Sequence, residues 1–143
     1  MPQRRDLVTG VIQLANLLTR RLAPVFEKHH VTPQQWAVLS AIDEEETAAT
    51  LVALSRRLMV TKQNMTGMVA RLEQLGFAER HGDPHDLRSS RVQLTRRGRT
   101  LLEKLRPGYE AWLKSVTAEI GDRDLQTVMR ALERLIVRLE QQA

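Results

Sequence analysis

Residues 50–76 spell two short amphipathic helices separated by a turn of about two residues, and few folds accommodate that arrangement. Thr50 is placed to cap the first, Leu51 to about Leu58, with Leu51, Leu54 and Leu58 on one face. Met59-Val60 forms the turn. Thr61 is placed to cap the second helix, whose inward stripe is Met65, Val69 and Leu72, flanked by Met68 and Leu75. Gly76 stands just past Leu75, where a left-handed residue ends a helix at no steric cost. The pair predicts a helix-turn-helix. Residues 77–81 and 91–95 then alternate like strands around a stretch of turn formers at 82–88. A hairpin in that position is a wing, and its tip is long enough to project from the body.

The flanking sequence is helical. Leu7, Val11, Leu14, Leu18, Val25 and Phe26 form a narrow apolar seam running to about Lys28, with Pro24 expected to kink or end the helix. Thr32-Pro33-Gln34-Gln35 reads as an N-cap, a proline in the first turn and a capping-box glutamine. That helix carries Trp36, Leu39 and Ile42 inward and stops at Asp43-Glu44-Glu45-Glu46, because an acidic run opposes the dipole at a helix C-terminus. After Thr95, the residues Leu102, Leu105, Tyr109, Trp112, Val116 and Ile120 recur every three or four positions, with a kink expected at Pro107-Gly108. Gly121 is expected to end that element and Asp122 to cap the last, which carries Leu125, Val128, Met129, Leu132, Leu135, Ile136 and Leu139.

The expected fold is mainly α, an α+β winged helix. Its order is three helices, a recognition helix, a two-stranded wing, a long helix and a terminal helix. The 143 residues suit a single domain. Within it, residues 32–100 form the winged helix-turn-helix region, while 5–30 and 101–143 form long helices suited to dimerisation. These helices present more apolar surface than a small winged-helix core covers. They either pack across a two-fold axis in a homodimer or close the core of a monomer.

Charge narrows the partner. Residues 55–99 hold ten Arg or Lys against four acids, a balance of +6, while the rest of the chain is −1. A basic centre on a near-neutral frame is the footprint of a polyanion binder. Arginine outnumbers lysine 18 to 4, which favours bidentate contacts to phosphates and base edges. No apolar run approaches the roughly 18 residues of a membrane span, and the amphipathic N-terminus predicts no signal peptide. There is no cysteine, which removes disulfides and thiolate zinc sites and suits a cytoplasmic protein. His29 and His30 are adjacent and point apart on a helix, and His81 and His85 flank the wing turn, so no metal is expected. No nucleophile elbow, Walker-type loop or His-Glu-x-x-His helix occurs, so neither an enzyme nor a cofactor is expected.

Three features together carry a family resemblance: Arg71-Leu72-Glu73 running into Gly76-Phe77, an Asp-x-Arg at Asp86 and Arg88, and Leu94-Thr95 followed by Gly98. The chain closely resembles the MarR family of winged-helix transcription regulators. That resemblance implies a dimer on pseudo-palindromic double-stranded DNA, a repressor more often than not, released by a small ligand. It also implies that Arg88, oriented by Asp86, enters the minor groove; Leu87 takes the place of a second arginine that family-like patterns often carry. The residues agree independently. Opposite the core, the second helix of the pair carries Gln63, Thr66, Gly67 and Ala70, small and uncharged, with Lys62 and Asn64 near its start. Gln63 and Asn64 suit adenine and Lys62 suits guanine or phosphate. The expected DNA contacts are thus Thr61, Lys62, Gln63, Asn64, Thr66, Gly67, Arg71, Asp86 and Arg88, the alternative for each being a solvated face.

Arg96, Arg97 and Arg99 either touch phosphate or are solvated. The resemblance further implies a cleft for an effector, a small anionic aromatic compound, lined by Trp36, Tyr109 and Trp112, for which core packing is the competing role. Two other functions fit the composition: an architectural DNA binder without an effector, and a winged helix used as a protein-interaction module.

Overall fold

The computed structural model describes residues 2–82, 86 and 90–142. Its elements are α1 (Pro2–Glu27), α2 (Pro33–Glu44), β1 (Ala49–Thr50), α3 (Leu51–Leu58), α4 (Lys62–Gln74), β2 (Ala78–His81), β3 (Arg91–Leu94), α5 (Arg96–Val116) and α6 (Asp122–Glu140). The chain forms two compact units, one ending at Tyr109 and one beginning at Glu110.

In the first unit the caps fall where the side chains dictate. Thr32 Oγ1 accepts the Gln35 N–H at 3.1 Å and Gln35 Oε1 accepts the Thr32 N–H at 3.1 Å, a complete capping box. Thr50 Oγ1 accepts the Ala53 N–H at 3.0 Å to open α3, and Thr61 Oγ1 accepts the Asn64 N–H at 3.1 Å to open α4. Between the two helices Met59 takes a left-handed conformation (φ 56°), which turns the chain within three residues. The cores of α2, α3 and α4 meet around Leu39, Leu54, Met65, Val69 and Leu72, all essentially inaccessible to solvent. Burial of side chains of this size is worth about 1.5–3 kcal/mol each, which makes this cluster the main source of stability of the unit.

The wing is larger than the sequence predicts. Its sheet has three strands in the order β1-β3-β2, all antiparallel, not two. Ala49 pairs with Val92 and Thr50 with Arg91, which makes β3 the central strand. Two residues carry no alternation to read, and their pairing depends on a strand far along the chain. Ala78 pairs with Leu94 and His81 with Arg91 across the hairpin. Val92 and Leu94 point to the core, whereas Arg91 and Gln93 point out.

Two prolines do not break their helices. α1 continues through Pro24 and α5 through Pro107. Each deprives the carbonyl four residues earlier of its amide partner. Those residues, Arg20 and Glu103, are exposed, a setting in which a carbonyl without an amide partner costs least.

The second unit comprises residues 110–143, with the end of α5 and all of α6. Asp122 does not cap α6. The cap is Gly121, in extended conformation and without a side-chain bond, while Asp122 and Asp124 lie in the first turn, where their charge complements the helix dipole. α6 has no buried residue: Leu125, Leu132 and Leu135 are half-exposed and Val128, Met129, Ile136, Val137 and Leu139 are exposed. Among the described residues no helix is long and apolar enough to cross a membrane.

Candidate nucleic-acid interface

Turning Met65, Val69 and Leu72 into the core leaves the opposite face of α4 open. Lys62, Gln63, Asn64, Gly67 and Arg71 are all exposed there, together with Thr61 at the cap. Thr61, Lys62, Gln63 and Asn64 stand at the N-terminal end of the helix, where free amides and the dipole favour phosphate, with Gly67 farther along and Arg71 in the last turn. Thr66 is half-buried and its hydroxyl donates to the Lys62 carbonyl at 2.9 Å, so it presents an acceptor oxygen and a methyl group to an incoming base. Arg71 Nη1 donates to Gln74 Oε1 at 3.3 Å, a bond that uses one of its five N–H groups.

Gly67 is informative by what surrounds it. A Cβ there would meet nothing within 4 Å, so no internal packing requires glycine. A glycine inside a helix costs about 0.5–1 kcal/mol against alanine. The sequence carries that cost on the open face of α4.

Beside α4 runs a groove of about 600 Å³ between it and the start of α2, lined by Gln34, Gln35 and Val38 on one wall and Gln63, Asn64, Gly67 and Arg71 on the other. Sequence reasoning did not assign Gln34 to this surface, because only the packing of α2 against α4 brings it there.

The basic segment is less uniformly available than its composition suggests. Arg57 pairs with Glu44 and, at 3.4 Å, with Glu45, two members of the acidic run at the end of α2. Arg80 lies 3.8 Å from Glu73. The Arg97 guanidinium sits 5.2 Å from the centre of the Phe77 ring, and Arg99 Nη1 donates to the Leu94 carbonyl at 3.0 Å. These two arginines are anchored to the fold while remaining at the surface; Arg96 is exposed.

In the wing, Asp86 is exposed and its carbonyl accepts both the Ser90 N–H and the Ser90 hydroxyl at 3.0 Å. Arg88, its expected partner, lies outside the described residues, as do Leu87 and His85. His81 Nε2 stands 3.5 Å from Glu79 and 3.3 Å from Gln93 on the outer face of the sheet. Among the described residues no group of three His, Cys, Asp or Glu is gathered to hold a metal ion.

Two of the three expected effector-site aromatics come together. The Trp36 and Tyr109 rings are 4.4 Å apart and both are half-buried. Phe26, fully buried, joins them at 5.3 Å from Trp36 and 6.3 Å from Tyr109. No local signal marks Phe26 as a member, since three separate helices supply the three rings. Trp112 belongs to the second unit, where it is half-exposed.

A family model described as MarR family matches residues 29–89, the span from the end of α1 to the wing. The chain is 35% identical over 127 residues to "Transcriptional activatory protein BadR" of Rhodopseudomonas palustris, covering 87% of this chain and 71% of that protein. Its fold is that of a MarR variant from Escherichia coli crystallised with operator DNA, with TM-score 0.79, 24% identity and coverage of 91% and 93%. It is also that of MarR from Staphylococcus aureus in complex with salicylate and kanamycin, with TM-score 0.81, 20% identity and coverage of 99% and 95%. An exposed polar face on the second helix of a helix-turn-helix, an adjoining wing and these relatives lead to one conclusion: the chain belongs to the MarR family of winged helix-turn-helix DNA-binding transcription regulators, which are not enzymes.

Proposed function

We propose that this regulator works in the cytoplasm as a homodimer that reads an inverted-repeat operator with α4 in the major groove, acting as a repressor that a small anionic aromatic compound releases. The observation that carries the reading is the division of α4, which commits Met65, Val69 and Leu72 to the core and keeps Gln63, Asn64, Gly67 and Arg71 exposed. Amides at positions 63 and 64 suit adenine, and Arg71 and Lys62 suit phosphate or guanine. The proposed contact set is Thr61, Lys62, Gln63, Asn64, Thr66, Gly67 and Arg71 from the helix, with Asp86 and Arg88 from the wing.

Dimerisation is supported by apolar seams that stay exposed. Leu7, Val11, Leu14 and Leu18 of α1 and Val128, Met129, Ile136 and Leu139 of α6 all remain accessible. The region 5–30 with 101–143 is thus the proposed dimerisation part of one functional chain. Two recognition helices held by it would sit about one DNA turn apart, roughly 34–36 Å. The half-buried Trp36–Tyr109 pair, stacked on Phe26, supports an aromatic effector, and a relative crystallised with salicylate fits that chemistry. An effector releases DNA only by favouring a spacing of the two readers that fits the groove badly. Repression follows where the operator overlaps a promoter and the bound dimer excludes polymerase.

Parallel titrations of operator and random duplex at several salt concentrations test the reading. Gln63→Ala is expected to cost about 1–3 kcal/mol on the operator and much less on random DNA. Arg88→Ala is expected to weaken binding across sequences and to make the salt slope shallower by about one unit. Asp86→Ala is expected to give a smaller loss, because it frees the arginine rather than removing it. Equal losses on both duplexes for Gln63→Ala would leave a charge-only binder.

A further inference from the structure

The end of α4 and the start of α5 meet at one hydroxyl group. α4 closes at Gly76, which is left-handed (φ 81°), with the Gly76 N–H bonded to the Glu73 carbonyl and the Phe77 N–H to the Leu72 carbonyl, each at 2.9 Å. α5 opens after Thr95, whose Oγ1 accepts the Gly98 N–H at 3.0 Å as a helix cap. The same Oγ1 donates its proton to the Gly76 carbonyl at 2.6 Å. One oxygen therefore caps α5 and fastens α5 to the last residue of the α4 terminus.

Three further contacts fix that junction. The Thr95 N–H donates to the Phe77 carbonyl at 3.1 Å. Gly98 lies so close to Phe77 that a Cβ on it would fall 2.1 Å from the Phe77 carbonyl oxygen, which only glycine avoids. The Arg97 guanidinium lies over the Phe77 ring, and its Nη1 would lie 3.4 Å from a Cβ on Gly76. Elsewhere α4 packs chiefly on α2, α3 and β2, with α5 not among its main neighbours. The junction is a direct hydrogen-bonded link between the start of α5 and the end of α4.

We infer that Thr95 and Gly98 are positioning residues for DNA reading: the Thr95 hydroxyl and the close Gly98–Phe77 approach set the orientation in which α5 holds the recognition helix. The inference rests on α4 being the element that reads bases. Neither residue needs to touch DNA. Their effect is on discrimination, because a misdirected α4 loses its base contacts while the surface charge that binds any duplex is unchanged.

The test uses the full chain, a duplex carrying the inverted repeat recovered from bound genomic fragments, and a scrambled duplex of the same length. Thr95→Val removes both bonds. Thr95→Asp keeps the cap, since a carboxylate accepts the Gly98 N–H, but has no proton for the Gly76 carbonyl. Thr95→Val is expected to lose about tenfold or more in affinity for the inverted repeat and less than about twofold for the scrambled duplex, the size of one or two lost base contacts. Thr95→Asp, whose added charge weakens both complexes, is expected to lose about tenfold more on the inverted repeat than on the scrambled duplex. Gly98→Ala is expected to show the same selective loss, and Thr95→Ser, which keeps the hydroxyl, to stay within about twofold of the parent on both duplexes. Thermal melting reports folding, and if Thr95→Val fails to fold, the capped Thr95→Asp variant decides. A folded Thr95→Asp protein with undiminished affinity for the inverted repeat overturns the inference, as does an equal loss on both duplexes. A parent protein that binds the two duplexes alike would remove the reading of α4 itself, a different failure.

Discussion

The segment from Phe26 to Leu105 and the helices at the two ends of the chain are written in the same apolar residues and use them differently. In the central segment the stripes converge: Phe26, Leu39, Leu54, Met65, Val69, Leu72 and Val92 are lost to solvent almost completely. Along α1 up to Leu18 and along α6 the stripes are as regular, yet Leu14 is 53% exposed, Met129 53% and Leu139 63%. The central segment is sufficient for its own burial; the terminal helices are not. A second copy covering them would gain about 1.5–3 kcal/mol for each large side chain buried, enough to hold two readers at a fixed spacing. On the proposed reading the central part recognises DNA and the terminal helices pair.

The contrast breaks most visibly if the terminal helix is removed. Deleting residues 122–143 is expected to leave a chain that sediments as a monomer and binds its operator only as it binds random DNA, a loss of about a thousandfold or more. Undiminished operator affinity in that truncated chain would show that one reader suffices. Single substitutions sharpen the same division. Leu72→Ala is expected to cost about 2–5 kcal/mol of stability at every protein concentration, as a cavity in a self-contained core does. Ile136→Ala is expected to lower the melting temperature by an amount that depends on protein concentration, because it acts on association. Concentration-independent melting of Ile136→Ala would assign α6 to a monomer.

The smallest expected effect is the most diagnostic of the open face. With nothing within 4 Å of a Cβ at position 67, Gly67→Ala is expected to stabilise the free protein by about 0.5–1 kcal/mol. The same methyl group stands where a base edge would approach, so operator affinity is expected to fall while stability rises. A variant in which both rise would mean that α4 does not approach DNA at position 67.

Much of this was legible because it is local. The caps at Thr32, Thr50 and Thr61, the left-handed Gly76 and the inward stripe of α4 each follow from residues within a few positions of one another. What escaped is set by distant partners. β1 is two residues long and exists because β3 offers Val92 and Arg91 to it. Gly98 is legible as part of a family-like pattern, but its necessity comes from the Phe77 carbonyl, which no spacing rule places beside it. For the prolines the local rule gives a kink or an end at Pro24 and a kink at Pro107, and α1 runs on to Glu27 and α5 to Val116. At the candidate site, the exposed face of α4 was readable as the complement of its core stripe. Gln34 and Phe26 were not, because only the packing of whole helices brings them to the groove and to the aromatic stack.

Sequencing genomic fragments bound by the purified protein decides whether two copies of one reader are held at a fixed spacing. Two readers so held are expected to select a shared inverted repeat whose half-site centres lie about one helical turn, roughly 10 base pairs, apart. Bound fragments with no common sequence, or a single unpaired half-site, would contradict it.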